Sequence, residues 1–232
     1  MPAPYPRVTI VIPALDEAPS IAGVLAAIPP VGRVIVVDNG STDDTARIAR
    51  NNGAHVVSEP RRGYGQACQA GITAALSPPE GTPAPEVIVI LDADQADDPT
   101  LLHKLVDPIL DGQADFVLSD RTRMAENGAL LPHQRYGNAL AVRLIALSTG
   151  HRYHDMGPFR AMRASALHNL ALIDPNYGWN VEMQMKAVRA GLRIREVSMP
   201  YRPRVGVSKI SGTIRGTVRA GTKILWSVWR YR

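Results

Sequence analysis

The sequence predicts an α/β protein with a mostly parallel central sheet and helices on both faces. Short apolar runs rich in β-branched residues alternate with helix-forming stretches, which specifies parallel strands joined by right-handed crossovers. The run 87–91 (VIVIL) is almost uninterrupted in apolar character, the pattern of a strand buried on both faces. The runs 8–12 (VTIVI), 34–37 (VIVV) and 87–91 each lead into acidic residues, so three strand ends present polar groups toward one edge. In open α/β sheets that edge collects ligands.

The elements follow in order. The first strand runs into Pro13-Ala14-Leu15-Asp16-Glu17, and a helix over about 20–28 comes next. The second runs into Asp38-Asn39-Gly40-Ser41, and Asp43 opens a helix to about Asn51. Residues 55–58 read as a short third strand, and Gly63-Tyr64-Gly65-Gln66 opens a helix to about Leu76. The proline-rich stretch 77–85 is a loop before strand 87–91. Beyond Thr100 a helix reaches about Asp111, and strand 115–118 runs into Ser119-Asp120-Arg121. A long helix covers about 135–149, and Gly157-Pro158 requires a turn. A helix over 180–190, a strand over 193–197 and a polar loop over 201–211 complete this part. In 213–230, Ile214, Val218, Leu225 and Val228 fall at helical spacing, with Arg215, Arg219 and Lys223 beside them.

Composition bounds the partners. A chain of 232 residues with 45% hydrophobic content can build one large α/β core, and global disorder is excluded. The single cysteine, Cys68, excludes an internal disulfide and fits a reducing compartment. No amino-terminal signal core is present, and no apolar run approaches the ~20 residues that span a bilayer. The expectation is a cytoplasmic protein, peripheral on the inner face of the membrane if it touches one. Twelve of the 26 basic residues lie in 186–232, where Glu196 is the only acid. Such a basic end suits phosphorylated ligands or an anionic membrane surface. Nothing matches a nucleic-acid module, and 5% aromatic content is poor for base stacking, so nucleic acid is not expected. A homo-oligomer is left open.

Asp92 and Asp94 follow strand 87–91 with only Ala93 between them. Two carboxylates this close repel unless a cation lies between them, and hard oxygen ligands suit Mg²⁺ or Mn²⁺ completed by substrate phosphates. A calcium loop would want Gly and Glu where Asp97 and His103 stand. An aspartyl nucleophile, or a polar loop whose Asp97 and Asp98 cap the next helix, remains open.

With these motifs in sequence, the chain resembles the inverting GT-A fold glycosyltransferases, in the family that includes dolichol-phosphate mannose and glucose synthases. Pro13-Ala14-Leu15-Asp16-Glu17 is similar to the family's first-strand motif, where Asn is commoner than Asp16. Val36-Val37-Asp38-Asn39-Gly40-Ser41-Thr42-Asp43 is similar to V-V-D-D-G-S-x-D, with Asn39 replacing an Asp. Asp92-Ala93-Asp94 matches the metal motif, and Arg204-x-Gly206-x-Ser208-Lys209 a late phosphate loop. Two residues beyond the second metal aspartate, Ala96 stands where Gln is frequent, and Gln95 lies one residue early.

The resemblance implies a GT-A, Rossmann-like domain over 1–211, with a nucleotide-sugar half over about 1–98 and an acceptor half over about 99–211. Residues 212–232 would form a basic amphipathic helix. It implies donor binding by Pro13, Ala14, Asp16, Glu17, Asp38, Gly65, Gln66, Asp92, Ala93, Asp94, Arg204 and Lys209. Asp38 would accept from uracil, and the amide end of the helix at Gly65 and Gln66 would approach the nucleotide. Asp92 and Asp94 would hold Mn²⁺ or Mg²⁺, with Asp94 catalytic through it. Arg121 and Arg135 match positions facing an acceptor phosphate.

The implied reaction moves a hexose from a UDP- or GDP-sugar to a polyprenyl phosphate. The alternative is a sugar or other alcohol acceptor, which needs a base; Glu182 and Asp155 are the candidates. Glu182 is equally suited to pair with Lys186 one turn on. A non-catalytic nucleotide-sugar binding protein is the alternative of another class.

Overall fold

The computed structural model describes residues 4–206 and 226–231. Its strands are β1 (Tyr5–Ala14), β2 (Val31–Asp38), β3 (His55–Ser58), β4 (Val87–Ile90), β5 (Phe116–Asp120), β6 (Arg160–Arg163) and β7 (Ile194–Ser198). They form one sheet in the order β3-β2-β1-β4-β6-β5-β7, continuous across the expected donor and acceptor halves. Every pairing is parallel except those of β6, which runs antiparallel to both β4 and β5. The α/β sheet expected from the sequence is present. β6 and the short helix after it were not legible there, because Arg160-Ala161-Met162-Arg163 lacks a β-branched residue and carries arginine at both ends.

The helices are α1 (Ile21–Ala27), α2 (Thr45–Asn51), α3 (Tyr64–Leu76), α4 (His103–Leu110), α5 (Pro132–Thr149), α6 (Ala164–Asn169) and α7 (Trp179–Arg189). The two-residue period of the strands sorts side chains between two cores. Ile10, Ile12, Val36, Val89 and Leu91 pack with α1, α2 and α4 on one face. Val11, Ile35, Val37, Ile88 and Ile90 pack with α3, α5, α6 and α7 on the other. Residues 87–91 thus supply both cores, which is why that stretch is apolar throughout. Among the described residues no helix is long and apolar enough to cross a membrane.

The expected tail residues Ile214, Val218, Arg215, Arg219, Lys223 and Leu225 lie outside the described residues, as does the boundary at 211. Residues 226–230 are helical. Ser227 and Tyr231 are buried, Val228 packs against the α7 side of the core, and Trp229 is exposed.

Helix α3 lies very close to the sheet beside the ends of β1 and β2. A Cβ at Gly71 would come within 2.3 Å of Val11 Cγ1 and 2.9 Å of Val37 Cγ2, both in the fully buried core. Gly71→Ala is therefore expected to destabilise the fold by about 1–3 kcal/mol through overpacking. Equilibrium urea unfolding checks this as a lower midpoint at unchanged slope.

Candidate functional site

The carboxyl ends of β2, β1 and β4 are adjacent, and the strand order reverses between β1 and β4. Loops diverge at such a switch point and leave a crevice over the sheet. Here it is a cavity of about 290 Å³. Pro13, Ala14 and Glu17 line it from the loop after β1, and Asp92, Ala93 and Asp94 from the loop after β4. Arg204 joins them from a segment more than a hundred positions away in sequence.

That segment is fastened to the aspartate loop by backbone hydrogen bonds. The Arg202 amide donates to the Ala96 carbonyl and the Val205 amide to the Asp94 carbonyl, each at 2.9 Å. The Arg204 guanidinium consequently lies 2.9 Å from Asp94 Oδ2 and 3.5 Å from Glu17 Oε1, bridging both walls. Asp94 is buried, and its Oδ1 accepts from the Ala96 amide at 3.0 Å. The Tyr64 hydroxyl donates to Asp92 Oδ1 at 3.1 Å. Burial, and then the Asp94 charge, push the Asp92 carboxyl above the ordinary carboxylate range. Asp97 is also buried, and neither of its side-chain oxygens has a hydrogen-bond partner among the described residues.

Two hard carboxylates on a cavity wall fit a divalent cation such as Mg²⁺ or Mn²⁺ that draws further ligands from phosphate and water. Among the described residues no group of three or more His, Cys, Asp or Glu side chains is placed to hold one. The amide side chain of Gln95 occupies the space left by Gly23, where a Cβ would meet it at 1.7 Å. Ala96 is buried. Neither offers a third ligand.

Other expected donor residues have structural duties. Asp16 adopts φ 51°, and its Oδ1 accepts from the Thr42 amide at 2.7 Å. Asp38 Oδ1 accepts from the Ser41 amide at 3.0 Å. Asp16 thus ties the loop after β1 to the loop after β2, and Asp38 closes the turn of its own loop; neither lines the cavity. For Gly65 and Gln66 the structure corrects the expectation of a free amide end. The Gln66 amide donates to the Pro175 carbonyl at 3.0 Å, and a Cβ at Gly65 would meet the Asp174 carbonyl oxygen at 1.9 Å. Glycine is needed there for the approach of another backbone, not of a nucleotide. Lys209 lies outside the described residues.

The sequence reading did not select Asn39, Arg62, Tyr64, Asn176 or Tyr177, which also line the cavity. Asn39 left a trace, as the departure from the acidic motif. Its Nδ2 donates to the carbonyls of Glu59 and Arg61, and its Oδ1 accepts from the Gly63 amide, all at 2.8 Å. A carboxylate could not donate to those two carbonyls.

The candidate bases are both committed. Glu182 is fully buried, accepts the amides of Ile173 and Asp174 at 2.7–3.0 Å, and pairs with Lys186 at 2.8 Å. It does not line the cavity, so its expected base role is corrected to that of a loop brace. Asp155 is fully buried in a two-point pair with Arg121, at 2.7 and 2.9 Å. Despite its burial, the hydrogen bonds and charge of Arg121 hold its carboxyl below the ordinary range, which makes it a weak base. Arg121 also stacks over the Tyr201 ring at 4.9 Å. Arg135, near the start of α5, is exposed.

Comparisons with known proteins agree with this architecture. Residues 9–171 match the model of the family described as glycosyl transferase family 2. A protein of Mycobacterium tuberculosis, named as an uncharacterized glycosyltransferase, is 42% identical over 217 residues, covering 92% of this chain and 94% of its own. A dolichyl-phosphate hexose transferase of Haloferax volcanii is 34% identical over 211 residues, covering 89% and 87%. The crystal structure of glucosyl-3-phosphoglycerate synthase from Mycobacterium tuberculosis, in complex with Mn²⁺, UDP and phosphoglyceric acid, superposes with a TM-score of 0.74. It is 24% identical, and the match covers 97% of this chain and 78% of that one.

The Asp92 carboxyl has a testable energetic consequence in protein stripped of divalent cations. Its folded pKa lies above the unfolded value, so the folded state binds the proton more tightly. Its contribution to stability therefore falls as pH rises from 3.8 to about 6 and is flat beyond. Asp92→Asn removes that cost while still accepting from Tyr64. In chelator at pH 7.5 the variant is expected to melt above the wild type, with the gap closing as pH falls through the same window. Thermal melts across a pH series check this.

Proposed function

The chain belongs to glycosyl transferase family 2 and is a nucleotide-sugar-dependent glycosyltransferase, and from that premise we propose that it moves a hexose from a UDP- or GDP-sugar to a polyprenyl phosphate, with inversion at the anomeric carbon. The observation that carries this reading is one cavity at the β1–β4 switch point, lined by Asp92, Asp94, Glu17 and Arg204. Pro13, Ala14 and Glu17 form the wall for the nucleotide. Asp92 and Asp94 would hold Mn²⁺ or Mg²⁺, which when bound would supply Lewis-acid stabilisation of the leaving diphosphate. Arg204 adds a fixed cation on the same side, which favours negative charge developing on the departing phosphate oxygens.

An acceptor oxygen attacks the anomeric carbon opposite the diphosphate; its bond to that carbon forms as the bond to the diphosphate breaks. An alcohol must lose a proton to a base in this step, whereas a phosphate monoester is already ionised. Asp155 is neutralised by Arg121 and Glu182 is enclosed, which supports the acceptor that needs no base. On the acceptor side the cation is the exposed Arg135, since Arg121 is already neutralised by Asp155. The relative named as a dolichyl-phosphate hexose transferase supports the same class of acceptor.

The carboxy-terminal segment supports peripheral contact with an anionic membrane. Trp226 and Trp229 are exposed, and the Arg230 guanidinium lies 4.7 Å from the Trp226 ring. Amphipathic aromatic and basic side chains of this kind favour the headgroup layer.

The test is a panel of UDP- and GDP-hexoses with Mn²⁺, offered polyprenyl phosphate or simple glycosides, with product detected by mass. Transfer to polyprenyl phosphate is expected, and transfer to glycosides alone overturns the acceptor assignment. Asp94→Asn is expected to lower activity at least about 100-fold while the fold persists, as circular dichroism would report. Arg135→Ala is expected to raise KM for polyprenyl phosphate about 10- to 100-fold, the scale of one lost charge-assisted hydrogen bond, with donor KM unchanged.

A further inference from the structure

One wall of the cavity is built from far outside the strand-end motifs. Asn176 and Tyr177 line it, and they belong to the loop between α6 and α7. That loop makes no sheet pairing, so other contacts must set its position. Pro175 is fixed from the cavity side, where its carbonyl accepts the Gln66 amide at 3.0 Å. The other side is fixed by Glu182, whose carboxylate accepts the amides of Ile173 at 3.0 Å and Asp174 at 2.7 Å. Lys186 completes this brace, with Nζ 2.8 Å from Glu182 Oε1 and donating to the Ala171 carbonyl at 2.8 Å.

The brace is covered by the end of the chain. The Tyr231 ring lies 5.6 Å from Lys186 Nζ, and Tyr231 is only 7% exposed. Burial, and then the charges of Glu182 and Asp174, raise the Tyr231 hydroxyl above its ordinary pKa, as its place beside this acid cluster requires. Ser227 is fully buried one turn earlier, and a Cβ at Gly178 would come within 2.3 Å of its Oγ. The same turn leaves Trp229 outward. Shielding by Tyr231 matters because an ion pair and its hydrogen bonds weaken when water reaches them.

We infer that residues 226–231 are a positioning element of the donor cavity: Tyr231 seals the Lys186–Glu182 pair, and that pair holds the 173–178 loop in place as the cavity wall. The inference rests on the reading of that cavity as the nucleotide-sugar site. It gives residues 226–231 a role in shaping the site, separate from any direct contact with donor.

The experiment compares Tyr231→Ala and Tyr231→Phe in the full-length chain by amide hydrogen exchange and by donor kinetics. UDP and GDP binding with Mn²⁺ is measured beside them. Tyr231→Ala is expected to speed exchange of the Ile173 and Asp174 amides about tenfold or more, leaving β1 and β4 unchanged. Donor KM is expected to rise about tenfold with a smaller change in kcat. Tyr231→Phe keeps the ring over Lys186 and removes only the hydroxyl, so it is expected to retain both properties. Wild-type exchange at 173–174 in Tyr231→Ala overturns the inference, and so does acceleration spread evenly over the sheet. Faster local exchange with unchanged donor KM also overturns it, by removing the link to the cavity. A wild-type chain that binds neither UDP nor GDP refutes the proposed function instead, and local exchange then still decides whether Tyr231 holds the loop.

Discussion

The repulsion between Asp92 and Asp94 is the constraint around which the site is arranged. A parallel strand that ends at a switch point delivers both carboxylates to one cavity wall. Burial, and after it the charge of Asp94, raise the proton affinity of Asp92, so without a cation between them the pair is unfavourable. The chain offsets it with a hydroxyl from Tyr64 on Asp92 and a guanidinium from Arg204 on Asp94. Both partners line the cavity, so the groups that stabilise the pair face the space assigned to the proposed donor.

A second cation stands behind the pair. Arg160 is fully buried on β6, at the register position opposite Ile90 of β4. It donates to the carbonyls of Met156, Gly157 and Pro158 and to Met183 Sδ, and among the described residues no carboxylate lies at ion-pair distance. Burial lowers its pKa, and the nearby charge of Asp92 opposes that shift. An inserted antiparallel strand therefore does more than complete the sheet. It carries positive charge to the end of the neighbouring strand and gathers the turn at Gly157, where a Cβ would meet the Ser119 carbonyl at 1.8 Å.

The buried acids Asp155 and Glu182 are braces. Asp155 fixes Arg121, and Glu182 fixes the 173–178 loop, each through charge-assisted hydrogen bonds that dispose of its own charge. Arg121 lowers the basicity of Asp155, and Glu182 is enclosed away from the cavity, so both acids give order to loops. That division suits a reaction whose nucleophile arrives already ionised.

Sequence alone determined the elements whose side chains repeat with a fixed period and the motifs that sit at their ends. The alternation of β-branched runs and helices gave the parallel sheet, and strand-end acids located Asp92, Asp94 and Glu17, because a strand's direction fixes which edge its last residue reaches. Tertiary structure decided what depends on contacts distant along the chain. β6 needed two neighbours to become a strand, since its own composition argues against one. Asp16, Asp38, Gly65 and Gln66 read as ligand-facing from their motifs, yet Asp38 bonds within its own loop and the hydrogen bonds or close packing of the other three go to other loops. Glu182 was ambiguous from spacing because an acid four residues before a lysine reads the same whether it is open or enclosed; the amides of Ile173 and Asp174 decide it. Asn176 and Tyr177 had no sequence signal at all, because a loop residue joins a cavity only through what folds against it.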